Sequence, residues 1–205
     1  KLWYNTYYRK IFSVFKGYDT KSVSLTKESA AFFLWKKGEA MFKEGDFIIY
    51  GSNGVCQVEH IGSMDLQGVP GDKMYYTLVP VYEEKSRLFT PVDNHKVVMR
   101  PVISKKEACE LIDHMQEMQV FEIQNEKNRD TVFKEALKTG DCEELVRVIK
   151  TIYEKKQERK AQGKKVTAGD ERYFKLAEEH LYGELAIALG IEKDKVSSYI
   201  EKRIA

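Results

Sequence analysis

The chain has 205 residues, 42% apolar and 32% charged, which allows one or two domains with a real core. No apolar run approaches the ~20 residues of a membrane-spanning helix. Cys56, Cys109 and Cys142 stand far apart with no C-x-x-C pair, a pattern of a reducing cytoplasm rather than of a disulfide framework or a zinc site. The net charge of +2 is uneven: Lys1–Ala40 carries eight Lys/Arg against three Asp/Glu, Met41–Ile103 six against eight, and Ser104–Ala205 twenty against twenty-one. Overall charge is therefore no argument for nucleic-acid binding, and only local patches can be.

Lys1–Ala40 differs from the rest. It holds both tryptophans, Trp3 and Trp35, and lacks a clean period. Trp3, Tyr4, Tyr7, Tyr8, Ile11 and Phe15 can form one face of an amphipathic helix. The order of its apolar and small residues does not suit a signal peptide. Lys36-Lys37-Gly38-Glu39-Ala40 requires purine-rich codons, which can spell a ribosome-binding sequence just ahead of a start codon for Met41. Two readings stay open here, a genuine N-terminal extension and a translated leader.

Met41–Ile103 reads as a β-rich module. Phe47–Tyr50 is a short strand, Gly51-Ser52-Asn53-Gly54 a tight turn in which Gly and Asn tolerate positive φ, and Val55–Ile61 the returning strand. Gly62-Ser63 and Gly68-Val69-Pro70-Gly71-Asp72 are turn signals. Met74–Val81, Ser86–Val92 and Val97–Val102 supply further strands rich in aromatic and β-branched types. The expectation is a small barrel-like sheet with too little interior for a substrate pocket and an exposed edge as its asset.

Ser104–Ala205 reads as a compact all-α bundle, so that the whole is an α+β multidomain chain. Ser104-Lys105-Lys106-Glu107 is a capping box opening the first helix. A second helix is expected from about Glu126 to Lys138, stopped by Thr139-Gly140-Asp141, which caps the next. The third runs from Cys142 to about Ala161, with Leu145, Val148, Ile149, Ile152 and Tyr153 on its apolar face. Thr167–Asp170 opens a fourth that Gly190 closes, and Lys195–Ile204 forms a short last helix. The junction near Pro101–Ser104 is short, and no interface supporting it is visible in the sequence. The angle between the halves is therefore expected to vary.

Chemistry is absent from the motifs. His60, His95, His114 and His180 are isolated from one another and from cysteine, and there is no P-loop, dinucleotide fingerprint or nucleophile elbow. No enzyme, metal site, cofactor or small-molecule substrate is expected. One patch stands out: Arg147, Lys150, Lys155, Lys156, Arg159, Lys160, Lys164 and Lys165 are opposed only by Glu154 and Glu158. Such a stretch can neutralise DNA phosphates, or can simply be a solvated helix face whose last-turn lysines suit the helix dipole.

The order of these elements resembles the CarD family of bacterial transcription regulators. Gly45-Asp46-Phe47-Ile48-Ile49-Tyr50, Asn53-Gly54-Val55, Thr90-Pro91-Val92-Asp93-Asn94 and Met99-Arg100-Pro101-Val102 carry the likeness in the β-rich half. Thr139-Gly140-Asp141, Gln157-Glu158-Arg159, Thr167–Asp170 and Gly183-Glu184-Leu185-Ala186 carry it in the helical half. The β signature alone is also similar to the polymerase-binding module of transcription-repair coupling factors. The resemblance implies a Tudor-like or SH3-like β-barrel that binds the RNA polymerase β subunit. It further implies a helical domain that contacts promoter DNA at the upstream edge of the −10 element and modulates open-complex stability. Nothing in the sequence predicts an obligate dimer, so a cytoplasmic monomer is expected. Polymerase-contacting positions align near Met64 and Phe89, with Arg87 on the same strand face as Phe89. On the helical side the resemblance points to Asn125, Glu126, Asn128 and Arg129. The basic patch adds Lys150, Lys155, Lys156 and Arg159 as DNA contacts. Many relatives carry a tryptophan wedge where this chain has Glu126, and an acid neither stacks on a base nor tolerates phosphate nearby. Phe121 is a substitute that core packing claims first. A protein–protein adaptor that uses the β-module without DNA is the alternative.

Overall fold

The computed structural model describes residues 42–63, 73–83, 86–123 and 125–204. The helix and the leader considered for Lys1–Ala40, and the candidate contact Met64, lie outside the described residues. Phe42–Ala205 forms one compact unit.

Its first part is a five-stranded antiparallel sheet: β1 Phe47–Tyr50, β2 Val55–Ser63, β3 Met74–Pro80, β4 Leu88–Pro91 and β5 Met99–Pro101. The strand order is β4-β3-β2-β1-β5. The turn after β1 is a short 3-10 segment, Gly51–Asn53, closed by a hydrogen bond from Tyr50 N–H to the Gly54 carbonyl at 3.0 Å. Only the glycines take positive φ there, +49° at Gly51 and +67° at Gly54. Asn53 instead donates its side-chain amide to the Tyr50 carbonyl at 3.3 Å. The strict alternation expected along β2 breaks at a bulge between Val58 and His60, which re-aims the strand's far end.

The pleat sorts the sheet into two faces. Ile48, Cys56, Val58, Tyr76, Leu78 and Thr90 are fully buried as the module's own core. On the other face, Ile49 pairs with Val55 on one side and Arg100 on the other, a row that turns toward the helices. Further along that face Thr77 pairs with His60 and with Phe89 and faces outward.

The second part is helical: α1 Lys105–His114, α2 Arg129–Thr139, α3 Cys142–Ala161, α4 Ala168–Leu189 and α5 Val196–Ile204. Local chemistry sets most ends. Ser104 Oγ accepts from Glu107 N–H at 3.2 Å while Glu107 accepts from Ser104 N–H at 2.7 Å, the reciprocal capping box. Gly140 ends α2 in the left-handed conformation at φ +61°. Asp141 caps α3 through Glu143 N–H, and Thr167 caps α4 through Asp170 N–H. Phe133, Leu145, Val148, Ile152, Leu181 and Leu185 form the centre of the helical core. Phe121 packs at a tilt against Phe133, centroids 6.4 Å apart, so it is committed to the core. Tyr153 departs from the expected apolar stripe: it is 54% exposed. From Tyr153 through Lys165 no residue is buried, because α3 has run past the helices that cover its first half.

Candidate functional site

Two surfaces and the junction between them make up the region where chemistry concentrates. The first surface is the β4 edge. Val92 N–H donates to the Met74 carbonyl at 3.0 Å, so residues 92, 90 and 88 point their main-chain groups at β3. By the alternation of an antiparallel ladder, Phe89 points its N–H and C=O outward. Pro91 has no donor, and its carbonyl accepts from Asn94 N–H at 3.0 Å, so the open stretch is short. The Phe89 ring is 51% exposed. Arg87, just before the strand, forms a fork with Glu59 at 2.6 and 2.8 Å. That pairing holds the Glu59 carboxyl below its usual range and strengthens the guanidinium's hold on its proton. Arg87 and Phe89 thus stand on one outward face, Arg87 with its charge already partnered. At the opposite edge, β5 is blunted by Pro101.

The second surface is the segment Asn125–Arg129 together with α3. Asn125 caps a short 3-10 turn by accepting from Lys127 N–H at 3.0 Å. Glu126 takes an ion pair from Arg129 at 3.0 Å and another from Lys155. The hydrogen bond from Lys155, then its charge and that of Arg129, keep the Glu126 carboxyl low. Arg129 is turned inward, its side chain 14% exposed, and meets the buried Asp170 carboxylate at 3.2 Å. Asn128 is exposed. The charges of Glu126 and Arg129 are engaged by one another and by Lys155 and Asp170, while Arg129 Nε is buried without a hydrogen-bond partner.

The basic stretch divides in two. Lys150 Nζ donates to the carbonyls of Met115, Gln116 and Met118 at 3.2, 2.9 and 2.5 Å, tying down the chain after α1. Arg147 lies 4.2 Å above the Phe121 ring and pairs with Glu144. Lys155 is held by Glu126, and Arg159 Nε donates to the Lys165 carbonyl at 2.8 Å. Lys156 and Lys160 are exposed on the outer side of α3 beside Tyr153, and among the described residues neither is held by an ion pair as Lys155 is. Among the described residues no group of three or more His, Cys, Asp or Glu is placed to hold a metal ion. No helix among them is long and apolar enough to cross a membrane.

The junction between sheet and helices overturns the expectation of a loose hinge. Arg100 of β5, 9% exposed, donates to both carboxylate oxygens of Glu184 on α4 at 2.5 and 2.7 Å, and also to the Gly140 carbonyl. Glu184 is 1% exposed and accepts in addition from Ile103 N–H at 3.1 Å and from the Cys142 thiol at 3.2 Å. Burial works against the Arg100 charge, but the Glu184 hydrogen bonds and negative charge outweigh it, and the guanidinium holds its proton more tightly than usual. Burial, followed by the Glu184 charge, pushes the Cys142 thiol well up. Two glycines make the approach possible. A Cβ on Gly140 would stand 2.8 Å from Ile49 Cγ2, and one on Gly183 would stand 2.8 Å from the Tyr82 ring. Tyr82 donates its hydroxyl to the Gly183 carbonyl at 3.0 Å, and Lys193 Nζ sits 4.3 Å above its ring. None of Arg100, Tyr82, Gly183 or Glu184 was marked as a site by its local sequence. The one available signal was a Gly-Glu pair placed inside an apolar helical run.

The arrangement therefore offers an open sheet edge and a basic helix face on one body, with no catalytic constellation among the described residues. Residues 42–103 match the family model described as the CarD-like/TRCF RID domain. Residues 110–201 match that of the CarD C-terminal domain. Neither domain family is enzymatic. With both matches in order along one chain, the protein belongs to the CarD family and is a transcription-associated regulator that interacts with RNA polymerase.

Proposed function

We propose that the sheet is the Tudor-like module that holds the RNA polymerase β subunit through the β4 edge, while the helical half contacts promoter DNA near the upstream edge of the −10 element and shifts open-complex stability. The observation that carries this reading is the outward N–H and C=O of Phe89 beneath an exposed ring, a strand edge able to extend a partner's sheet. A contact made on polymerase raises the local concentration of the helical half at DNA, so that the second contact need not be strong alone. Better binding to melted than to closed promoter shifts their equilibrium by the difference in affinity. The work is done in the bacterial cytoplasm.

The test is capture of RNA polymerase by the full chain and by Phe89→Pro. Proline removes the outward N–H but no ladder hydrogen bond, which edge strands tolerate. Capture by the parent and its loss in the variant supports edge pairing. Equal capture by both would move the polymerase contact off β4.

A second reading is an adaptor that binds polymerase and leaves DNA alone. The engagement of Arg129, Lys150, Lys155 and Arg159 by other groups of the chain favours it. Open-complex lifetime on a promoter, unchanged by saturating protein that polymerase demonstrably captures, is the result that would select it.

A further inference from the structure

We infer that the DNA contact of the helical half is made by the outer strip of α3, Tyr153, Lys156 and Lys160, rather than by the Asn125–Arg129 turn, and that its ligand is the phosphate backbone of a DNA duplex. The inference rests on the proposed promoter contact and assigns its residues.

Geometry separates the charges of α3. At about 100° per residue, Tyr153, Lys156, Gln157 and Lys160 fall within an arc of about 100°, while Glu154 and Glu158 lie beyond one flank. Lys155 and Arg159 point the other way and are engaged by Glu126 and by the Lys165 carbonyl. The strip is thus basic although the helix end as a whole is mixed. Lys156, Gln157 and Lys160 are exposed, and Tyr153 stands 54% exposed among them. The same helix places no acid within the strip. Successive lysines one turn apart are spaced about 6 Å along a helix, close to the step between phosphates of one DNA strand. A tyrosine hydroxyl beside them is a neutral phosphate donor of the kind that positions a protein without reading bases. By contrast, Glu126 places a carboxylate at the centre of the Asn125–Arg129 turn, and that turn's arginine is spent on Asp170.

The experiment is titration of a labelled mixed-sequence DNA duplex with the full chain at a series of salt concentrations, beginning at low salt. Thermal melts of each variant confirm the fold, since these side chains carry no core packing. Replacing Lys156 and Lys160 together by Gln should lower the magnitude of the salt slope by about 2, near 0.9 for each phosphate no longer neutralised. Tyr153→Phe should weaken binding by about tenfold and leave the slope unchanged, because a neutral donor releases no counterion. Lys155→Gln should leave the slope where it was. If the double variant keeps the parent's steep slope, DNA is held elsewhere: the inference falls and the promoter contact stands. If the parent itself binds duplex without salt dependence, the promoter contact falls as well, and polymerase capture separately decides the tether.

Discussion

Arg100 and Glu184, 84 positions apart in the chain, meet through two hydrogen bonds of 2.5 and 2.7 Å and fasten the sheet to α4. Removing one member leaves the other as a buried, uncompensated charge, so Glu184→Ala should cost about 3–5 kcal/mol of stability. Arg100→Met combined with Glu184→Leu removes both charges at once. That pair should recover much of the loss and keep about 1–2 kcal/mol of it, because the Gly140 carbonyl and Ile103 N–H lose partners. Urea unfolding of the two singles and the double reads this directly, and additive losses would contradict the pairing.

Gly183 and Tyr82 should be coupled in the opposite sense to helix propensity. Alanine for glycine inside a helix ordinarily adds about 1 kcal/mol. Here the new Cβ would meet the Tyr82 ring at 2.8 Å and push it off its hydrogen bond to the Gly183 carbonyl and its contact with Lys193. Gly183→Ala should therefore bring no gain in the parent chain and a gain of about 1 kcal/mol in a Tyr82→Ala background. A double-mutant cycle checks it, and equal effects in both backgrounds would show that the ring does not rest on the glycine.

Glu126 withholds a cation from the basic helix. Its carboxylate engages Lys155, and Arg129 keeps a second acid in Asp170. Glu126→Gln should free Lys155 while leaving Arg129 in place. Because Lys155 points away from the Tyr153, Lys156 and Lys160 strip, the magnitude of the salt slope for duplex DNA should stay where it was, and a rise of about 1 would place the DNA contact on the Glu126 side of α3 instead. Weaker binding in this variant would mean that Glu126 orders the DNA-facing surface rather than restraining it.

Acid should loosen the sheet–helix junction through His180. Its ring packs against Gly54, its Nδ1 is buried without a hydrogen bond, and burial lowers its pKa from 6.5, with Glu179 opposing and Lys193 adding to the shift. Below pH 6.5 the unfolded chain takes up a proton that the native imidazole does not, so stability falls as pH drops. His180→Phe, which keeps a flat ring without a titrating group, should flatten the fall seen in urea midpoints measured from neutral pH downward. An unaltered pH profile would assign the loss to other groups.

How far the sequence could be read depended on the range of the interactions. Helix ends followed from residues three or four apart: the Ser104–Glu107 box, Gly140 before Asp141, Thr167 before Asp170. The strands of the β-rich half were visible in their aromatic and β-branched runs, and the turn glycines in their need for positive φ. The junction was hidden because its partners come from opposite halves of the chain and carry no local pattern. Direction was hidden too. A count of charges along α3 treats Lys150 and Lys156 alike, yet one closes three carbonyls and the other faces water. Tyr153 continued the apolar period past Ile152 only because a period cannot register where the neighbouring helices stop.

The buried arginine also bears on heredity. A gene segment encoding the sheet, joined to a domain that covers position 100 without supplying an acid, would leave Arg100 with a buried and unanswered charge. The helical segment is bound in the same way by Glu184. Recombination between such chains should therefore either carry both segments together or cross with substitution at position 100 or 184. A chimera's solubility, more than its activity, will record which route it took.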